Sequence, residues 1–126
     1  MILGLGVDLV DVLRLGRALD AGGAVFEQRV FTEAERADAG RRRDRVAFLA
    51  ARFAAKEACL KALGTGIGAG HSFLHVEIAD TDAGDVPTVS LRGPAAERAS
   101  ALGVRRVHLA VSEWSPLRAA TVVLEG

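Results

Sequence analysis

The segment ARFAAKEACLKALGTGIG, residues 51–68, decides the fold because it ends the strongest helix predicted in the chain. That helix is expected from about Asp44 to Leu63, with Gly64 ending it. Projected at about 100° per residue, the helix carries an apolar stripe within about 60° of one direction. The stripe comprises Val46, Leu49, Ala50, Phe53 and Leu60.

Glu57 falls on the same stripe. A carboxylate that faces a core costs free energy unless a charged group meets it. Lys61 follows at i+4, so one interpretation is a buried or half-buried Glu57–Lys61 ion pair that only holds the helix in place. The other interpretation is a functional carboxylate, and the helix alone leaves both open.

The lysines of the chain point to the same segment. Of the 16 basic residues only two are lysines, Lys56 and Lys61, and arginine supplies every other cation. A compact ammonium differs from a rigid guanidinium fork in what it can bind. Lys61 is therefore the favoured functional lysine, whereas Lys56, on the other flank of the stripe, is expected to support Glu57 or the helix.

Length and composition predict one domain over residues 1–126. A chain of 126 residues with 50% hydrophobic and 25% charged residues is typical of a globular domain. Its 16 basic and 16 acidic residues cancel, which disfavours nucleic-acid and membrane partners. The single Cys59, the absence of a signal-peptide pattern and the lack of a long apolar run predict a cytoplasmic protein.

The remaining pattern predicts an α+β fold with an antiparallel sheet around the long helix. A strand is expected over residues 2–10 and a helix from about Val12 to Leu19, closed by Gly22 and Gly23. Thr32 and Glu35 form a capping-box pattern that starts a second helix. Further elements are strands at 74–79 and 86–91, a helix from Pro94 to Leu102, and strands at 104–111 and 117–124.

Asp8 is a second acid in an apolar run, on the strand face that carries Gly4 and Gly6. Glycines there allow a backbone or a ligand to approach closely. Asp8 and Glu57 beside a lysine and arginines would suit Mg²⁺ with a phosphorylated ligand. The arginine-rich loop 41–45 is either a solvated surface or a phosphate contact. The glycine run GTGIGAG (64–70) is better explained as a helix stop and flexible loop than as a phosphate loop.

Four segments together resemble the bacterial holo-[acyl-carrier-protein] synthases, the short type of 4′-phosphopantetheinyl transferase. They are GVDLVDVLRL (6–15), FEQRVFTEAE (26–35), ARFAAKEACLKALGTGIG (51–68) and the tail HLAVS (108–112). The resemblance implies transfer of phosphopantetheine from coenzyme A to a serine of an acyl carrier protein, with release of adenosine 3′,5′-bisphosphate. It also implies a homotrimer with active sites between subunits.

The resemblance assigns roles to individual residues. It implies that Asp8 and Glu57 bind Mg²⁺ and that Lys61 contacts the phosphate and aids catalysis. Positions that match the coenzyme A contacts are Arg45, Arg52, Gly64 and Ser72, together with Lys61. Arg14 and Arg17 lie on the helix that docks the acidic carrier protein in this family.

The tail departs from the family pattern. Where the family has H-V-S-[IL]-[ST]-H, this chain reads HLAVSEW (108–114), with Glu113 at the histidine position. Glu113 is a candidate general base or extra acid near the metal, and Trp114 could stack on adenine. The alternative hypothesis is a non-catalytic protein of the same fold that binds coenzyme A or a carrier.

Overall fold

The computed structural model describes residues 1–65, 72–81 and 87–126. Most of the GTGIGAG run, and residues 82–86 between the strands predicted at 74–79 and 86–91 and at the start of the second, lie outside these ranges. The elements in chain order are β1 (Ile2–Asp11), α1 (Val12–Val30), α2 (Glu33–Gly40), α3 (Arg45–Ala62), a 3-10 turn (Phe73–His75), β2 (Val76–Ala79), β3 (Thr88–Leu91), α4 (Gly93–Leu102), β4 (Arg106–Trp114) and β5 (Leu117–Glu125).

The strands form two antiparallel groups: a three-stranded sheet in the order β1-β5-β4 and a β2-β3 ribbon. Helix α3 packs against β1 and β5, and also contacts α1, α2 and β2. The predicted α+β class, with an antiparallel sheet and a long central helix, is confirmed. Asp44 caps α3, its side chain accepting from the Ala47 N–H, and Leu63 follows the last helical residue.

The glycines of β1 bring the backbones of strand and helix together. A Cβ atom on Gly6 would lie 1.9 Å from the Ala58 carbonyl oxygen of α3, and one on Gly4 would lie 2.2 Å from that of Ala62. No side chain fits at those distances, so glycine is required for this contact. Because alternate residues of a strand share a face, Asp8 also points towards α3.

The other face of β1 is apolar and exposed. Leu5, Val7 and Leu9 are 61%, 55% and 61% exposed. The period-2 pattern of β1 therefore marks two faces of different kinds: the glycine–aspartate face lies on the core, and the leucine–valine face lies on the surface. Exposed apolar side chains in a continuous row are typical of an interface.

The glycine pair predicted to close the first helix coincides with a break in α1. Gly23 is non-helical, with φ at 60° and ψ at −153°, and a second helical stretch follows this kink and runs to Val30. The sequence pattern did not predict that second stretch. Val30 is buried and Phe26 packs against the core cluster, so tertiary packing stabilises the helix that follows the glycine pair.

No helix in the described part of the chain is both long and apolar enough to cross a membrane.

Candidate active site

Asp8 and Lys61 meet where β1 crosses α3. The Lys61 ammonium donates to Asp8 Oδ1 at 2.8 Å and to the Val7 carbonyl at 3.3 Å. The Asp8 side chain is 8% exposed and that of Lys61 57% exposed. The buried Asp8 carboxylate thus orients an ammonium that is still partly exposed to solvent.

Glu57 joins this pair from one helical turn before Lys61. Its pKa is raised to about 7, first by burial, then by hydrogen bonding with and repulsion from Asp8, while Lys61 lowers it. The pKa of Lys61 is raised, chiefly by its hydrogen bond to Asp8. The site is therefore a pair of crowded carboxylates with one neighbouring ammonium.

The structure does not show the simple Glu57–Lys61 pair that the helix spacing allowed. In the described residues the ion-pair partner of Lys61 is Asp8, whose position on β1 the helix pattern does not reveal. Lys61 reaches across to the strand because Asp8 is the more buried acid and points at the helix. Glu57 is left facing Asp8 with like charge.

The carboxylates of Asp8 and Glu57 fit a hard divalent cation. Asp8 Oδ2 is buried and finds no hydrogen-bond partner among the described atoms, and an adjacent cation would satisfy it. Mg²⁺ commonly uses one or two carboxylates and completes its shell with phosphate and water oxygens. No cluster of three or more His, Cys, Asp or Glu side chains suited to a metal occurs in residues 1–65, 72–81 and 87–126, so a metal here would depend on oxygens from a ligand.

A largely apolar cavity of about 460 Å³ opens beside Glu57, between β1, α1 and α3. Arg14 lines it together with Asp11, and its apolar wall includes Leu9, Phe26 and Phe53. Arg17 lies exposed on the same helix. The cavity connects the Glu57 carboxylate to a helix surface that carries two cations.

A second cavity of about 390 Å³ is lined by three arginines, Arg42, Arg52 and Arg118, and by three acids, Asp44, Asp80 and Glu113. Arg52 is 5% exposed by side chain and donates to Asp80 Oδ1 at 2.7 Å. Its guanidinium lies over the Phe48 ring, 4.4 Å from the centroid. The Arg52 Nε is buried with no partner in the part of the chain that the structure describes.

The sequence matches the family model of the 4′-phosphopantetheinyl transferase superfamily over residues 4–115. It is 46% identical to a holo-[acyl-carrier-protein] synthase of a Chelativorans species, over 99% of this chain and 96% of that protein. The chain belongs to the holo-[acyl-carrier-protein] synthases. The family predicted from the motifs is confirmed.

Solved holo-[acyl-carrier-protein] synthases share the fold. The crystal structure of the Neisseria meningitidis enzyme matches with a TM-score of 0.89 and 36% identity, covering 100% of both chains. The Helicobacter pylori enzyme, solved in complex with coenzyme A, matches with a TM-score of 0.82 and 26% identity, covering 96% of this chain and 99% of that one. The α+β fold is thus that of known synthases.

Three further candidate residues of this synthase, Arg45, Gly64 and Ser72, each have a contact of their own. Arg45 pairs with Glu27 of α1. Gly64 follows α3 with φ at 74°, beside the Arg98 guanidinium. Ser72 caps the 3-10 turn, accepting from the Leu74 N–H at 3.1 Å. None of these three contacts belongs to the Asp8–Glu57–Lys61 cluster.

Glu113 lines the second cavity, whereas Glu57 lines the first. It lies opposite Arg118 in the β4–β5 register, with Oε1 3.8 Å from the Arg118 Nε. The Glu113 side chain is 71% exposed. Within one subunit Glu113 is therefore associated with the arginine-lined cavity.

Sequence reasoning missed Arg118 and the partner of Lys56. Arg118 is the one charge in the apolar run LRAATVVL (117–124), the same signal that identified Asp8, and it was available. Lys56 is fully buried and pairs with Glu35. Glu35 was recognised only as a capping residue, because nothing in the sequence shows that its side chain also meets α3.

Proposed function

We propose that this chain transfers the 4′-phosphopantetheine arm of coenzyme A to a serine of an apo acyl carrier protein, with Mg²⁺. The serine oxygen bonds to the phosphorus that carries pantetheine. The phosphoanhydride bond then breaks, adenosine 3′,5′-bisphosphate leaves, and the serine proton passes to a base. The observation that carries the proposal is the Asp8–Glu57–Lys61 cluster beside a cavity, in a chain of this family.

Asp8 and Glu57 would hold the metal. When bound, Mg²⁺ neutralises charge on the pyrophosphate oxygens. The protein supplies two fixed carboxylates on rigid elements, and the close β1–α3 contact at Gly4 and Gly6 fixes their spacing. Burial and the neighbouring Asp8 raise the pKa of Glu57, and a cation between the two carboxylates would favour their ionised forms.

Lys61 would act as a cation next to the transferred phosphate. Asp8 raises the pKa of Lys61, so the ammonium stays protonated at neutral pH. Its 57% exposure leaves N–H donors available to a ligand. Charge that develops on the leaving phosphate is stabilised by a donor that is already oriented by Asp8.

The arginine-lined cavity is our candidate for the nucleotide end of coenzyme A. The support is Arg52, buried with an unpartnered Nε in the described structure, and Arg42 and Arg118 on the same wall. Arginine suits phosphate recognition. Further contacts with coenzyme A stay predicted for Arg45, Gly64 and Ser72. Each of these residues also contacts another residue of this chain.

The carrier protein would dock on α1. Arg14 and Arg17 are exposed cations, and Arg14 also lines the cavity that reaches Glu57. An acidic carrier surface would pair with them and place its serine at the cavity. Glu113 stays a prediction for the general base.

We further propose a homotrimer whose active sites lie between subunits. The exposed apolar row Leu5, Val7 and Leu9 supports an interface on that face of β1. A neighbouring subunit would also bring its Glu113 or arginine cavity towards the Asp8–Glu57 cluster. The cytoplasmic location and the single domain over residues 1–126 stay predictions.

The test is to incubate the protein with coenzyme A, Mg²⁺ and several apo carrier proteins and to measure the carrier mass. Addition of phosphopantetheine supports the enzyme. Tight binding of coenzyme A or carrier with no mass change would favour the non-catalytic alternative. A matched reaction with EDTA shows whether transfer depends on the divalent cation.

A further inference from the structure

Glu35 and Lys56 form a fully buried ion pair outside the cluster of Asp8, Glu57 and Lys61. Both side chains are 0% exposed, and the Lys56 Nζ lies 2.5 Å from Glu35 Oε1. The same oxygen accepts from the Thr32 N–H at 2.9 Å, and Oε2 accepts from the Ile78 N–H at 2.9 Å. One carboxylate thus ties together the start of α2, strand β2 and the middle of α3.

Small side chains make up much of the buried surface of helix α3. Six of its buried residues are alanines: Ala47, Ala50, Ala54, Ala55, Ala58 and Ala62. Ridges made of alanine are shallow, and they specify the angle and register of a packed helix less sharply than large side chains do. A directional hydrogen-bonded charge pair supplies that specification.

The pair lies next to the candidate metal ligand in sequence. Lys56 immediately precedes Glu57, so a rotation of α3 that moves one side chain moves the other. Lys56 points to α2 and β2, where Glu35 holds it, and Glu57 lines the cavity that Leu9, Val10 and Asp11 of β1 also line, on the side of Asp8. Fixing the first direction fixes the second.

We propose that Glu35 and Lys56 are positioning residues that set the rotation of α3 and so hold Glu57 opposite Asp8. The proposal rests on the proposed function only in taking Glu57 as a metal ligand. The role of the pair is to place the helix and not to add net stability. A buried ion pair often contributes little more stability than uncharged side chains in its place would.

The experiment compares the wild type with the double variant Glu35→Gln/Lys56→Met, which removes both charges. Leu49→Ala is the control, because Leu49 is a fully buried α3 residue two turns from Glu57 and its truncation destabilises the core. Calorimetry titrates Mg²⁺ into each protein saturated with coenzyme A, without carrier, well below its melting temperature. Turnover is then measured with carrier.

We expect the double variant to fold, to bind Mg²⁺ at least about tenfold more weakly, and to lose turnover by a similar factor. The Leu49→Ala control should be less stable yet bind Mg²⁺ as the wild type does. Wild-type Mg²⁺ affinity and turnover in the double variant would overturn the proposal, as would its failure to fold. If the wild type itself shows no Mg²⁺-dependent transfer, the proposed function fails instead.

Discussion

Lys61 of α3 donates to Asp8 of β1 at 2.8 Å, although 53 positions separate the two residues in the sequence. This contact joins the two family motifs into one site. It leaves Glu57, one turn before Lys61, beside a second carboxylate.

Replacing Glu57 by Gln should abolish transfer without unfolding the protein. The amide keeps the size of the side chain but removes a charge that a divalent cation needs, so turnover should fall by at least about 100-fold. Mass spectrometry of the carrier measures the loss, and circular dichroism checks the fold. Turnover close to that of the wild type would show that Glu57 is not a metal ligand.

Lys61 should not be replaceable by arginine. Lys61→Arg keeps the charge but substitutes a planar fork for a compact ammonium that must contact Asp8 and a phosphate, so we expect turnover to fall by about tenfold or more. The Lys61→Ala variant should lose more of the turnover than Lys61→Arg does. Arg105→Ala, which removes an exposed cation before β4, is the control and should stay active. If Lys61→Arg were as active as the wild type, Lys61 would contribute only its positive charge, and the compact shape of its ammonium group would not matter.

The stability of the metal-free protein should depend on pH through Glu57. Its pKa is about 7 in the folded chain against 4.5 for the free residue, so the folded state holds a proton that the unfolded state has lost between these values. Stability contributed by this group is therefore lost as pH rises from about 4.5 to about 7.

Thermal unfolding in EDTA measures this dependence. The Glu57→Gln variant cannot ionise, so it should melt close to the wild type at pH 5 and several degrees above it at pH 8. A constant difference between the two proteins across this pH range would mean that Glu57 does not titrate there.

Gly6→Ala should destabilise the protein and weaken the site. Its Cβ would lie 1.9 Å from the Ala58 carbonyl, so β1 and α3 must separate, at a cost of about 1–3 kcal/mol in unfolding free energy. Gly40→Ala is the matched control, since a Cβ there meets nothing within 4 Å. Chemical denaturation measures the unfolding free energy of both variants. Equal stability of the two variants would show that the close contact is unimportant.

Charges on the exposed face of β1 should prevent oligomer formation. The trimer would have a mass of about 40 kDa, three times 13.2 kDa. Val7→Glu places a charge in the apolar row and should give a monomer by gel filtration with light scattering. Val25→Glu alters an equally exposed valine on α1 and should leave the assembly intact. A wild-type monomer would contradict the trimer.

The sequence predicted the helical and strand elements well because local patterns determine them. The period of α3 and its caps, the capping box at Thr32 and the glycine after α4 are local signals, and each matches the structure. The helical stretch between the Gly23 kink and Val30 was missed because Val30 and Phe26 are stabilised by contacts with distant residues.

The site was predicted in part. Asp8 and Glu57 each stood out as charges in apolar runs, but only the fold shows that they converge. The partners of Lys61, Lys56 and Arg52 are Asp8, Glu35 and Asp80. Each lies outside α3, more than 20 positions away, and helix periodicity carries no information about such pairs.

The most direct test of the central claim is a crystal structure of the protein with coenzyme A and Mg²⁺. The account predicts one Mg²⁺ with carboxylate oxygens of both Asp8 and Glu57 about 2.0–2.1 Å away, and pyrophosphate oxygens completing its shell. It also predicts that the Lys61 ammonium contacts the same pyrophosphate. A metal held elsewhere, or a pyrophosphate remote from Asp8 and Glu57, would contradict it.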